Sequence, residues 1–180
     1  WVTPSVTETT TTTPGGPETR PTDPYEGVVE SVSEMVTVPA GTFDCSHPLV
    51  NRLWLNGYWS QKDNFLSVPT DCPQRDERLG WMGDAQIYVR TATYNTDVSA
   101  FFTKWLVDVE DAQLENGAFT DVSPRIVAEG GGTAAWGDAG VICPWTIYLC
   151  YGDTRILEEQ YASMQAWVGY MEEAAGEDRL

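Results

Sequence analysis

From Phe43 onward the apolar residues fall at spacings of three and four over most of the chain, in helical runs separated by two long interruptions. This periodicity restricts the fold more than any other feature, because it belongs to helices buried along one face and does not suit strands. A first helix over about 47–61 is predicted from Leu49, Val50, Leu53, Trp54, Gly57 and Tyr58, behind Ser46 and Pro48. Met82, Ala85, Val89 and Ala92 mark a second helix within 81–94. Asp97 caps a third, whose stripe of Val98, Phe101, Phe102, Trp105, Leu106 and Val109 is expected in the core. Asp138 is placed to cap a fourth, running through Val141, Ile142, Trp145, Leu149 and Cys150 until Gly152 stops it. Asp153 opens a last helix carrying Ile156, Leu157, Tyr161, Met164, Trp167, Val168 and Met171. The expected fold is mainly α, with five or six helices joined alternately by short turns and long loops.

Residues ahead of this region read differently. Residues 1–26 are rich in Thr and Pro, with little apolar surface to bury, and are expected to be a disordered linker. Over 27–43, Val28, Val29, Val32, Val36 and Val38 among polar residues suit one or two short strands. Two strands are too few to stand alone, so this segment reads as the trailing edge of a preceding β domain, with the helical domain over 44–180.

At 180 residues the chain is long enough for one domain with a real core. A formal net charge of −17 excludes a binder of nucleic-acid backbones and argues against an anionic membrane or a polyanionic ligand. No apolar run approaches a membrane span, and the first residues lack the pattern of a secretory leader. Cys143 and Cys150 lie seven residues apart on one helix, about 10 Å by helical rise, and are expected as buried thiols. With His47 as the sole histidine, standing before Pro48 at a helix start, no zinc site is expected and no cofactor is implied.

The periodicity breaks over 63–84 and again over 114–138, where Asn116-Gly117, Pro124 and Gly130-Gly131-Gly132 interrupt it. Connections this long in a compact domain are usually functional or mobile. In a toroid of antiparallel helix pairs the long loops gather at one end, so these two would share a rim. Within the first, Asp71 to Asp84 sets Asp71, Asp76, Glu77 and Asp84 among Arg75, Arg78 and Trp81, with Pro73, Gly80 and Gly83 as breakers. Such a loop supplies what a sugar site needs: groups for hydroxyls, a flat ring face and an acid. The same composition also suits a solvated, salt-bridged surface loop.

The run Asn64-Phe65-Leu66-Ser67-Val68-Pro69-Thr70-Asp71-Cys72-Pro73-Gln74-Arg75-Asp76-Glu77-Arg78-Leu79-Gly80-Trp81, then Gly83-Asp84-Ala85-Gln86, closely resembles the bacterial α-L-rhamnosidases of glycoside hydrolase family 78. The resemblance continues through Asp97-Val98, Lys104-Trp105-Leu106, Asp111-Ala112-Gln113 and Ala135-Trp136-Gly137-Asp138-Ala139-Gly140, covering about residues 41–173. Met82 departs from it, standing where a threonine is common. It implies part of an (α/α)6 barrel of the six-hairpin glycosidase type, preceded by β-sandwich domains. It also implies hydrolysis of terminal α-L-rhamnosyl groups with inversion, in a rhamnose-containing glycoside or oligosaccharide. By position, Glu77 matches the family's general acid, while Asp71, Arg75, Trp81, Asp84 and Trp136 match residues that hold the sugar. Without the resemblance, Trp136 reads as core, and Asp138 reads as a helix cap.

An inverting enzyme needs a second carboxylate, roughly 6.5–9.5 Å from the acid, to activate water. In the resembling family that base lies beyond the stretch matched here, so the sequence reads as a fragment holding half a barrel, with inner helices left facing solvent. A catalytically inactive rhamnose-binding or structural module, and another (α/α)6 glycosidase, are the competing readings.

Overall fold

The structure, a computed structural model, describes residues 38–72, 74–126 and 130–176. The expectations for 1–26 and for the valines of 27–37 lie outside the described residues. Five helices are present among those described: α1 (Pro48–Asn64), α2 (Met82–Asn95), α3 (Ser99–Asp111), α4 (Ala139–Tyr151) and α5 (Arg155–Ala175). Two short strands, β1 (Val38–Pro39) and β2 (Thr96–Asp97), pair antiparallel with Val38 opposite Asp97 and Pro39 opposite Thr96. None of these helices is long and apolar enough to cross a membrane.

The α3 stripe is buried as its spacing predicts, with Phe101, Phe102, Trp105, Leu106 and Val109 all in the core. Phe65, at the end of α1, stacks on Phe101 with ring centroids 4.6 Å apart, so the entry to the first long loop is tied to α3. On α2 the buried face is Met82, Ala85, Val89 and Ala92, one helical stripe. Helix α4 packs against α2, α3 and α5 and is the centre of the domain. It ends at Gly152, whose φ of 72° is the left-handed conformation that terminates helices.

Two expectations about faces are corrected. On α4 the residues turned inward are Ala139, Gly140, Cys143, Pro144 and Ile147, while Ile142, Trp145 and Leu149 are exposed and Cys150 is half-buried. This helix is apolar all round, so periodicity does not choose its inner face; the smaller residues take it because three helices converge there. On α1, Leu49 and Leu53 are 73% and 71% exposed, and the deeply buried side chains are the polar Gln61 and Lys62. Helix α1 joins α2 through a polar joint. The Gln61 amide donates to Thr96 Oγ1 at 2.6 Å, and its carbonyl accepts from Asn95 at 2.8 Å. Lys62 sits with its ammonium about 5 Å from the rings of Tyr58 and Trp59.

Helix caps differ in detail from their prediction. Asp97 accepts from the Ser99 amide at 3.0 Å, one residue ahead of the helix boundary at Val98. Asp138 occupies the N-cap position of α4 but makes no side-chain cap bond. Its carboxylate turns back to the Ala135 amide at 2.8 Å and across to the Trp167 indole at 3.2 Å. It therefore binds the second long loop to α5 rather than satisfying its own helix.

Candidate active site

The two long loops pair with each other. Trp81 and Val122 form an antiparallel bridge. On either side, the Ser123 amide donates to Gly80 O at 2.9 Å and the Met82 amide donates to Asp121 O at 3.0 Å. Buried Trp105 on α3 donates its indole N–H to Ser123 O at 3.0 Å, fixing the second loop from beneath. Farther along, the Gln86 amide of α2 donates to Ala135 O, and Gly83 lies against the Trp136 ring, where an added Cβ would meet Cε2 at 2.9 Å. Trp136 is therefore held on the mouth side of α2.

Between α1, the first loop and α2 lies a cavity of about 610 Å³, and Asp71, Asp84 and Trp136 are in its wall with Cys72, Gln86 and Tyr88. Its size suits a ligand of the order of a monosaccharide or larger. Three polar atoms around it are buried without a partner: Asp71 Oδ1, Gln86 Oε1 and Trp136 Nε1. Two acceptors and one donor in this state lose the hydrogen bonds that water would give, and a hydroxylated ligand can restore them.

Glu77 adjoins this wall. A carboxylate oxygen of Glu77, one of Asp71 and the Cys72 sulfur lie within 4.8 Å of one another. Both Glu77 oxygens are engaged: Oε1 accepts the Trp81 indole N–H at 2.6 Å, and Oε2 pairs with the Arg75 guanidinium. The hydrogen bond to Asp71 leads the effects that push the Cys72 thiol up, followed by burial and the Asp71 charge; Arg75 opposes them. The loop is bent sharply on either side of Glu77. Cys72 and Arg78 adopt φ of 43° and 54°, and Ala135 on the facing loop adopts 70°, conformations that side chains other than glycine adopt at a cost.

The six candidate residues thus fall into two adjoining groups. Asp71, Asp84 and Trp136 line the cavity; Arg75, Glu77 and Trp81 form a hydrogen-bonded triad beside it, with Asp71 nearest. Sequence reading passed over Gln86, Asp121 and Ser123. Gln86 could have been noticed, lying two residues beyond Asp84 within the conspicuous run. Asp121 and Ser123 act through their backbone carbonyls and amides, for which side-chain identity carries no signal. Asp121 also accepts from the Thr133 hydroxyl at 2.8 Å, closing the second loop on itself.

Known proteins share this arrangement of helices. Residues 39–180 match the family described as the bacterial alpha-L-rhamnosidase 6 hairpin glycosidase domain. An alpha-L-rhamnosidase of Streptomyces avermitilis is 51% identical over 130 residues, covering 72% of this chain and 13% of the relative. One from Formosa agariphila is 44% identical over 130 residues, covering 72% of this chain and 14% of the relative. The crystal structure of the Streptomyces avermitilis alpha-L-rhamnosidase complexed with L-rhamnose matches with a TM-score of 0.75 at 48% identity, over 76% of this chain and 13% of that one. The alpha-L-rhamnosidase of Dictyoglumus thermophilum matches with a TM-score of 0.76 at 42% identity, over 78% of this chain and 16% of that one. The chain spans 13–14% of the length of these two curated relatives. The five helices are accordingly part of an (α/α)6 barrel, and the chain belongs to the bacterial alpha-L-rhamnosidase six-hairpin glycosidase domain family.

Proposed function

We propose that the protein carrying this chain hydrolyses terminal, non-reducing α-L-rhamnosyl groups of rhamnose-containing glycosides or oligosaccharides with inversion, as a member of glycoside hydrolase family 78. Glu77 is the general acid, and Asp71, Arg75, Trp81, Asp84 and Trp136 hold the sugar. The observation that carries this reading is the meeting of Asp71 with Glu77 at the edge of a 610 Å³ cavity walled by Asp84 and Trp136, in a chain of this family. The relative crystallised with L-rhamnose supports the sugar assignment.

The chemistry follows from the groups present. Carboxylates at Asp71 and Asp84 accept from vicinal hydroxyls, and the Trp136 ring offers an apolar face to the sugar ring and its methyl group. Proton donation to the glycosidic oxygen stabilises the leaving alkoxide, a contribution of about 10²–10⁴-fold. The base that activates water is assigned outside the described residues.

The reading is tested with the full natural chain and Glu77→Gln, on α-L-rhamnosides with good and poor leaving groups. Loss of about 10²-fold or more on the poor leaving group is expected, with a smaller loss on the good one. Proton NMR of the first-formed sugar should show the β anomer. Equal turnover by the variant on the poor leaving group would sink the assignment of Glu77, and an α product would sink inversion.

A further inference from the structure

The Trp136 indole N–H has no partner among the described residues, so no hydrogen bond of the ring itself holds it in the cavity wall. Its place is set by what it rests on and by the backbone that delivers it. The ring lies on Gly83, where an added Cβ would meet Cε2 at 2.9 Å and Nε1 at 3.0 Å. The residue before it, Ala135, has a φ of 70°, a left-handed conformation that alanine adopts only at a cost. Two side chains from different elements hold it there. Asp138 Oδ2, at the start of α4, accepts the Ala135 N–H at 2.8 Å, and the Gln86 amide of α2 donates to the Ala135 carbonyl. We propose, resting on the reading of Trp136 as a residue that holds the sugar, that Gln86 is a positioning residue: with Asp138 it locks Ala135 in the left-handed conformation that presents the Trp136 ring to the cavity.

A carbonyl oxygen only accepts, so the end of the Gln86 amide that meets Ala135 is the NH2, and neither a carboxylate nor a thioether can replace it. Gln86 follows Gly83 by three residues, which puts both on one side of α2. That side supplies the surface under the ring and the clamp on the peptide group that leads into it. Asp138 is fixed in turn by the buried Trp167, whose indole N–H donates to Oδ1 at 3.2 Å, so the hold on the Ala135 N–H is anchored in α5.

With the Gln86 bond gone, Ala135 relaxes toward the conformations alanine prefers, and only a fraction of the molecules keep Trp136 in the wall. Apparent affinity for the sugar falls by that fraction. The complex that does form keeps Glu77, Asp71 and the other groups of the site, and turns over as before. The effect therefore belongs in KM and not in kcat, and it is the same for good and poor leaving groups.

The experiment uses the full natural chain with Gln86→Met, which keeps the length of the side chain and lacks the donor, on a 4-nitrophenyl and an alkyl α-L-rhamnoside. A rise in KM of about 3–10-fold is expected on both, with kcat within about twofold. Adding Ala135→Gly, which reaches the left-handed conformation without the steric cost, should lower KM again. In a Trp136→Ala background, which itself raises KM, Gln86→Met should add less than about 1.5-fold. The ring is followed without substrate by fluorine NMR of the 5-fluorotryptophan-labelled chain, its resonance identified by loss in Trp136→Phe; it should move or broaden in Gln86→Met and return with Ala135→Gly. An unchanged KM or an unmoved resonance in folded Gln86→Met would overturn the proposal. So would a loss confined to kcat or to the alkyl substrate, full additivity with Trp136→Ala, or no recovery with Ala135→Gly. If Gln86→Met does not fold, Gln86→Glu, which keeps the shape but turns an acceptor toward the carbonyl, is held to the same criteria. A raised KM in Trp136→Ala with none in Gln86→Met rejects this role alone, while an unchanged KM in Trp136→Ala rejects the sugar-holding role of Trp136 and this proposal together.

Discussion

At Gly80 a Cβ would stand 2.1 Å from the carbonyl oxygen of Ser123, and backbone oxygen cannot swing aside as a flexible side-chain end does. Gly80→Ala is therefore expected to force the two loops apart, at a cost of about 1–3 kcal/mol, read as a lower denaturation midpoint of the full chain with exchange accelerated at the Ser123 and Met82 amides. Unchanged exchange would mean that the loops tolerate the extra carbon without parting. The charged types of Asp71 to Asp84 in a breaker-rich stretch could be recognised from sequence as material for a site. Their partners could not. Whether Trp81 stacks on a ligand or donates to Glu77 depends on where Val122 holds its backbone, and that residue is far away along the chain. Asp138 shows the same limit: its position before α4 was legible, while the turn of its carboxylate toward Ala135 and Trp167 depends on α5.

Among the elements, α3 was legible because a sharp division between its apolar stripe and its polar face leaves one way to bury it. Helices α1 and α4 were legible as helices, but their buried faces were not. The first has Leu49, Val50 and Leu53 exposed and its polar Gln61 buried among partners on α2 and β2; the second is apolar on every side, so only its neighbours decide its orientation. Helix α3 also carries the support of the site. Trp105 is fully buried, and its indole N–H reaches the Ser123 carbonyl. Trp105→Phe leaves that carbonyl short of a donor, with a cost of about 1–3 kcal/mol. Faster amide exchange is expected over 120–123 and 80–82, with protection in the middle of α5 unchanged. A uniform loss of protection across α5 as well would show that Trp105 supports the whole domain and not this loop in particular.

At the scale of the whole domain, a titratable group fully buried among the described residues is Cys143 at the centre of α4, where burial pushes the thiol far above its ordinary value of 9.0. The folded state keeps this proton where the unfolded chain releases it. Stability present below the unfolded thiol value is lost as pH rises beyond it, by at most about 1.4 kcal/mol per pH unit. Burial raises Tyr88 and Tyr151 as well, so the decline should steepen above 10. Denaturation midpoints of the natural chain and of Cys143→Ala, compared between pH 8 and 10, should converge as the natural chain loses this contribution. Parallel curves would remove Cys143 from the account. The same burial makes Cys143 inert to thiol reagents until the domain opens.

The contact between the two loops has a consequence for the order of events during folding. The Gln86 side chain and the Ala135 carbonyl are 49 positions apart, with most of α2 and all of α3 between them. Contacts of that separation close only after the chain entropy of the intervening segment has been offset by local structure. Helices α2 and α3 can gain their internal hydrogen bonds and begin to pack while the loops are still apart; the contact of Gln86 with Ala135 belongs to the end of the process. The paired loops are, in this architecture, a late-arriving feature, and recovery of protection at the Ser123 and Met82 amides after dilution from denaturant should lag behind recovery of helical circular dichroism.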